Sequence, residues 1–191
     1  MLNLLSRTTW AGAIVADPPA QPVADSSSTQ DNIKYSEFAL LMGTAGYSWE
    51  AFTMTTEDNY ILTTFHITGK IGHDIQQDPS LNPVLLMPGQ GTDSTSAILP
   101  IKPVEPMVFQ LFDRGFDVWL ANNRGTKYSQ GHTTMTIEDN EYWKFSWAEM
   151  GLYDSVSNLE LVKEKTGKKI SFIGVSQGTV QMFYALAHIE S

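Results

Sequence analysis

The chain has 191 residues, of which 42% are hydrophobic and 17% charged, a balance typical of one globular domain. Its 21 acidic residues outnumber its 12 basic ones, and the net charge of −9 argues against nucleic acid or an anionic membrane as partner. The absence of cysteine excludes disulfides, a thiol nucleophile and a zinc–thiolate site. No stretch reaches the roughly 18 apolar residues of a transmembrane segment.

Residues 1–31 are predicted to be an N-terminal arm, and residues 32–191 the folded domain. The first 16 residues are mildly apolar, but Arg7 and two threonines interrupt the apolar core that a signal peptide needs. A single arginine is few for a mitochondrial presequence. Residues 17–31 are rich in Pro, Ala and Ser, as linkers are. These signals favour an intracellular protein and leave a mitochondrial location open.

From residue 32 onward, strand patterns alternate with helix patterns. Residues 51–55 and 60–67 flank a Thr-Glu-Asp-Asn turn, which predicts a β-hairpin. Continuous apolar runs predict buried strands, and 3.6-residue periodicity predicts helices. The predicted strands are 83–87, 116–121 and 169–175, and the predicted helices are 104–114, 141–165 (broken near Gly151) and 177–188. This order predicts an α/β fold, a mostly parallel sheet with helices on both faces.

One motif carries chemistry, the Gly-x-Ser-x-Gly pattern centred on Ser176. It follows a predicted strand and precedes a predicted helix, as in a nucleophile elbow, where Gly174 and Gly178 would relieve clashes around a strained serine. The N–H of Gln177 would be one oxyanion donor, and Gln90, in the loop after the strand at 83–87, would be the second. The alternative is a glycine-rich turn with an ordinary N-cap serine.

A serine nucleophile also needs a histidine base and an orienting carboxylate. His188 would lie 12 residues along the same helix, about 18 Å from Ser176 at ~1.5 Å per residue, too far to act as the base. His66 and His73 belong to the hairpin region, where a structural role is expected. His132 follows a predicted strand on the ligand-binding rim and is the weak remaining candidate.

The order of several sequence blocks resembles the acid lipase family of α/β-hydrolases, which includes gastric and lysosomal acid lipases. The resemblance spans residues 45–187, about three quarters of the chain. The blocks that carry it are Gly46-Tyr47 with Glu50, 56–62, 115–120, Asn123-Arg124-Gly125 with Tyr128, Ser129 and His132, 142–147 with Glu149, Met150, Tyr153 and Asp154, and 166–169 followed by 174–179.

The resemblance implies hydrolysis of lipid carboxylic esters without a metal or cofactor. By position it assigns Ser176 as nucleophile and Gln177 and Gln90 as backbone oxyanion donors. Two departures are Pro88, where the family usually has histidine, and Val175 before the serine, another usual histidine position. By analogy, the family also suggests a lysosomal or secreted location.

The largest departure is that the sequence stops after the predicted nucleophile helix, so the fold would be an α/β-hydrolase truncated there, without the family's later Asp and His. The strand between Ile170 and Val175 would then be an apolar sheet edge that needs cover. One hypothesis is a serine ester hydrolase whose second half is another protein chain or lies outside this sequence. The alternative is a non-catalytic, lipase-like structural subunit of a larger assembly.

Overall fold

A computed structural model of the chain describes residues 34–99 and 104–188, so the predicted arm at 1–31 lies outside the described residues. The strands are β1 (Tyr47–Thr55), β2 (Tyr60–Lys70), β3 (Val84–Met87), β4 (Val118–Leu120), β5 (Gly131–His132) and β6 (Ser171–Gly174). The helices are α1 (Ser36–Ala45), α2 (Thr95–Ile98), α3 (Met107–Phe112), α4 (Trp147–Glu149), α5 (Val156–Thr166) and α6 (Gln177–His188). A 3₁₀ turn covers Asn140–Trp143, and a π-helical turn at Met150–Ser155 joins α4 to α5.

The predicted β-hairpin is confirmed and is longer than expected. Strands β1 and β2 pair antiparallel from Tyr47 opposite Lys70 to Thr55 opposite Ile61. The Thr56 hydroxyl donates to Asp58 (2.7 Å) and accepts from the Tyr60 N–H (2.9 Å), which closes the turn. Local turn chemistry therefore fixes this part of the fold.

The sheet runs in the order β1-β2-β4-β3-β6, with β5 paired to β2. Strands β4, β3 and β6 are parallel, whereas β2 joins β4 antiparallel. The predicted α/β fold with flanking helices is confirmed, but the sheet is mixed. It is not mostly parallel, because the long hairpin contributes two antiparallel strands.

Each face of the sheet is covered by helices, as predicted. Alternate residues of one strand point to opposite faces. Leu86 and Leu120 pack with side chains of α1 and α3, whereas Leu85 and Trp119 pack with Leu161 and its neighbours on α5. The chain therefore buries two hydrophobic clusters, one on each side of the parallel strands.

Two predicted helices differ from those observed. Helix α3 begins at Met107, because Pro106 has an extended ψ of 135° and serves as its N-cap. Val104, which was predicted to start this helix, therefore lies outside it and is exposed. The predicted helix at 141–165 instead restarts after a 3₁₀ turn. There Ser146 and Glu149 form a capping box at the start of α4. Gly151 does not break the helix but sits in the π-helical turn.

Strand β6 is the outermost strand of the described sheet on its side and pairs only with β3. Helix α6 follows it with the predicted bounds, but three of its apolar side chains are exposed. These are Val180, Phe183 and Leu186. Among residues 34–99 and 104–188, no helix has the length and apolarity needed to cross a bilayer.

Candidate active site

Ser176 occupies the tight turn between β6 and α6 and has the left-handed backbone angle φ = 50°. L-residues adopt this conformation only at an energetic cost, and such strain is concentrated at functional sites. The serine is exposed to solvent. The local backbone therefore has the form that the Gly-x-Ser-x-Gly motif predicts.

The two glycines of the motif are required by close backbone contacts. A Cβ on Gly174 would lie 2.5 Å from the N atom of Thr179, and a Cβ on Gly178 would lie 2.6 Å from the carbonyl oxygen of Met87. Both distances are far below van der Waals contact, so only glycine fits without displacement of the backbone. The first turn of α6 therefore rests directly on the end of β3.

The loop after β3 faces the serine. A Cβ on Gly89 would lie 3.2 Å from the Cβ of Ser176, and the carbonyl oxygen of Gly89 accepts from the Thr92 hydroxyl (3.0 Å). Pro88 and Gly89 are buried, whereas Gln90 is exposed. The sequence-predicted loop and serine are thus brought together, with Gln90 one residue beyond the contact.

The N-terminus of α6 leaves one N–H available beside Ser176. Gly178 donates its N–H to Val175 (2.9 Å) and Thr179 donates to Ser176 (2.9 Å). Within the described part of the chain, the N–H groups of Gln177 and Gln90 donate to no protein acceptor. Free N–H groups at a helix N-terminus favour negative charge.

None of the chain's four histidines lies beside Ser176 in this structure. His188 ends α6 and its Nδ1 bonds to the Tyr184 carbonyl (2.8 Å), so the distance argument against it holds. His132 is in β5, where its Nδ1 accepts from the N–H of Thr134 (3.1 Å). Strand β5 pairs with β2 at Tyr60 and Ile61, whereas Ser176 follows β6 at the far edge of the described sheet.

His66 lies between two carboxylates and against a tryptophan ring, contacts that the sequence did not predict. Its Nδ1 lies 2.8 Å from Glu50 and its Nε2 lies 2.6 Å from Asp117, while its ring stacks on Trp119 at 4.0 Å. Burial lowers the pKa of His66, but the hydrogen bonds to Asp117 and Glu50 outweigh burial and raise the pKa above its ordinary value. The cluster joins β1, β2 and the residue before β4.

Replacing His66 with glutamine should remove a pH-dependent part of the stability. Because the folded pKa is raised, the imidazolium contributes fully below the unfolded pKa of about 6.5, and its contribution is lost as pH rises through the folded pKa. The difference in unfolding free energy between wild type and His66→Gln, measured by urea denaturation, should therefore be larger at about pH 6 than at about pH 9.

The matched control is His73→Gln, because His73 is exposed and lies outside the cluster. An equal stability difference for His66→Gln at both pH values would show that the ring is held as a neutral group. The charged neighbours that face His66 are Glu50 and Asp117, and Lys168 acts on Asp117 from the turn before β6.

A buried ion network supports the helix that packs against the elbow, and sequence reasoning had assigned it no role. Arg124 is 1% exposed and donates through Nε to Asp154 (2.7 Å) and through Nη2 to Asp58 (2.8 Å). Its guanidinium also covers the Tyr60 ring at 3.9 Å. The available signal was an arginine three residues after the predicted strand at 116–121, inside one of the blocks that resemble the acid lipase family.

Asp154 lies in the π-helical turn and is completely buried. It also accepts from the Arg124 N–H (2.8 Å), while Asn158 donates to its carbonyl oxygen (2.8 Å). Burial raises the pKa of Asp154 to about 6, against the lowering effect of Arg124. In the described residues, no group of three His, Asp or Glu side chains is arranged to hold a metal ion.

Comparisons of this chain with known sequences find lipases, in agreement with the resemblance that the sequence blocks indicate. Residues 39–99 match the family model described as the partial alpha/beta-hydrolase lipase region. Triacylglycerol lipase 1 of Arabidopsis thaliana is 37% identical over 146 residues, which cover 76% of this chain and 36% of the plant protein. Lipase member M of Mus musculus is 36% identical over 143 residues, which cover 74% of this chain and 33% of that lipase.

Among solved structures, the Pyrococcus furiosus esterase Pf2001 superposes with a TM-score of 0.52 and 20% identity, covering 91% of this chain and 55% of the esterase. At this identity the likeness concerns the fold alone. The chain spans about a third of the length of the curated relatives it matches. The resemblance predicted from the sequence is confirmed: residues 39–99 match an α/β-hydrolase lipase model, and about three quarters of the chain is similar to lipases.

Proposed function

We propose that this chain is the part of a serine ester hydrolase that carries the nucleophile, Ser176, and that the substrate is a carboxylic ester of a lipid. The observation that carries the proposal is the strained elbow, in which Ser176 has φ = 50° between two glycines that tolerate no side chain. The names of the relatives, which are lipases, support the substrate class. Residues 32–191 would be this hydrolase region, and residues 1–31 an arm.

In this proposal the Ser176 hydroxyl attacks the ester carbonyl carbon while a general base takes its proton. The carbonyl oxygen becomes an oxyanion, and the N–H groups of Gln177 and Gln90 stabilise it. The base then gives this proton to the alkoxy oxygen of the ester, which releases the alcohol and leaves an acyl-enzyme. Water then attacks the acyl carbon, and Ser176 leaves with a proton. No metal or cofactor is needed for these steps.

The base and its orienting carboxylate would come from outside the described residues. His66 is bonded to Glu50 and Asp117, and His188 to the Tyr184 carbonyl. The outer edge of β6 offers a place where a further strand can add. We propose that the remainder of the polypeptide or another protein chain covers the edge between Ile170 and Val175 and brings a histidine to Ser176.

A fluorophosphonate probe tests the nucleophile directly in the full-length protein and in any complex isolated with it. The wild type should be labelled, and peptide mass spectrometry should locate the label on Ser176. Ser176→Ala should abolish the label, whereas Ser171→Ala, a matched serine change at the start of β6, should leave it intact. An unlabelled wild type in both preparations would overturn the proposal.

The second candidate function is a non-catalytic, lipase-like structural subunit. It is favoured by one observation, the engagement of His66 and His132 in contacts remote from Ser176. A structure of the complex separates the two candidates. Protein side chains that fill the crevice over Ser176 would support the subunit, whereas a histidine within about 3.2 Å of its Oγ would support the hydrolase.

A further inference from the structure

The π-helical turn at Met150–Ser155 lies against α6, the helix that begins immediately after Ser176. The contact is close, because a Cβ on Gly151 would lie 2.7 Å from the carbonyl oxygen of Gln181. A π-helical turn inserts one extra residue into a helix and is often found at functional sites. Here it brings the backbone of one helical segment directly onto the other.

Within this contact, two glutamine amides converge on one sulfur atom. The side-chain nitrogens of Gln177 and Gln181 each lie 3.2 Å from the Sδ of Met150. The two glutamines are one helical turn apart and share a face of α6. Gln181 is fully buried, and its amide oxygen finds no partner among the described residues. The sulfur is therefore the acceptor available to both amides.

We infer that Met150 is a positioning residue for the first turn of α6, and the inference rests on the proposed role of Ser176. Gln177 is the residue whose N–H is the proposed oxyanion donor. Its side chain is tied to Met150, so the sulfur fixes the orientation of the peptide unit next to the nucleophile. The Thr179 hydroxyl also donates to the Gly174 carbonyl (2.7 Å), but among the described residues the Gln177 side chain is held only by Met150, so loss of this contact would loosen the residue that carries the proposed donor.

Met150 is itself held from both sides along the chain. On its N-terminal side, the Ser146–Glu149 capping box fixes α4, with the Ser146 N–H donating to Glu149 (2.7 Å). On its C-terminal side, Asp154 is paired with buried Arg124 (2.7 Å). A thioether is a weak acceptor, but it is long and unbranched, so it reaches two donors from a fixed backbone.

The test compares Met150→Leu, which keeps the volume and removes the acceptor, with Met182→Leu. Met182 is half-buried on α6, and its sulfur accepts no hydrogen bond from the described residues, so it is a matched control. In the full-length protein, amide hydrogen exchange across residues 177–181 should rise about three- to tenfold in Met150→Leu and stay unchanged in Met182→Leu. The fluorophosphonate inactivation rate constant should fall by a similar factor with unchanged probe affinity.

The double variant Met150→Leu/Gln177→Leu distinguishes positioning through Gln177 from a general packing effect. It should be no slower in labelling than Gln177→Leu alone, because both changes remove the Gln177–Met150 contact and the second contact of Met150, with Gln181, lies one helical turn further from Ser176. Additive losses, or equal exchange in Met150→Leu and Met182→Leu, would overturn the inference. An unlabelled wild type would instead contradict the proposed function, and the exchange measurement would still decide whether Met150 anchors the turn.

Discussion

Replacing Asp154 with alanine should lower the free energy of unfolding by about 3–5 kcal/mol, the range measured when one partner of a buried ion pair is removed. The change leaves the Arg124 guanidinium buried, with its Nε and its N–H deprived of their acceptor. Asp58 remains bonded to Arg124, but it is partly exposed and cannot replace the lost contacts. Urea denaturation at neutral pH measures the effect.

The control is an ion pair of the same type on the surface. The Nζ of Lys144 lies 2.5 Å from the Oε1 of Glu141, and about two thirds of each side chain is exposed. Such pairs contribute less than about 1 kcal/mol, so Glu141→Ala should be nearly neutral. Equal effects of the two substitutions would contradict the role assigned to the buried network.

The same variant should also weaken the candidate active site. Asp154 fixes the π-helical turn, and that turn carries the contacts to Gln177 and Gln181. We therefore expect labelling of Ser176 to decrease in Asp154→Ala even at temperatures where the protein is fully folded. Asp154→Asn, which retains the shape but not the charge, should have a smaller effect on both readouts.

Sequence reasoning succeeded where the physical cause is local. The elbow at Ser176 could be predicted because the motif stands between a strand pattern and a helix pattern, and because the clash that requires Gly174 comes from Thr179, five residues along the chain. The hairpin could be predicted because Thr56 and Asp58 close the turn with their own side chains. Apolar runs likewise predicted β3, β4 and β6, although only β3 and β4 are buried throughout and β6 is half-buried.

The rest could not be predicted because it depends on contacts between distant positions. Arg124 meets Asp58 and Asp154, which are 66 and 30 residues away, and no spacing rule connects them. The π-helical turn at Met150–Ser155 forms where the chain before α5 packs against α6. The apolar periodicity of residues 141–165 therefore predicts a helix but not this turn. The mixed sheet likewise depends on how the hairpin docks beside β4, a tertiary choice.

Replacing Gly178 with alanine should reduce labelling of Ser176 by about a hundredfold, the cost expected for a displacement of roughly 1 Å between catalytic groups. The added Cβ would lie 2.6 Å from the carbonyl oxygen of Met87 and 2.8 Å from that of Pro88. Both are backbone atoms at the end of β3, so α6 must shift away from the loop that carries Gln90. The two proposed oxyanion donors would then separate.

Gly43→Ala is the matched control, because Gly43 also lies in a helix, but a Cβ added there would meet no atom within 4 Å beyond the backbone of its own helix. Alanine there should stabilise the protein by about 0.5–1 kcal/mol through higher helix propensity, with labelling unchanged. Gly178→Ala should instead lose about 1–3 kcal/mol of unfolding free energy from overpacking. Normal labelling of Gly178→Ala would mean that the β3 loop does not serve the serine, and Gln90 would lose its proposed role while Ser176 kept its own.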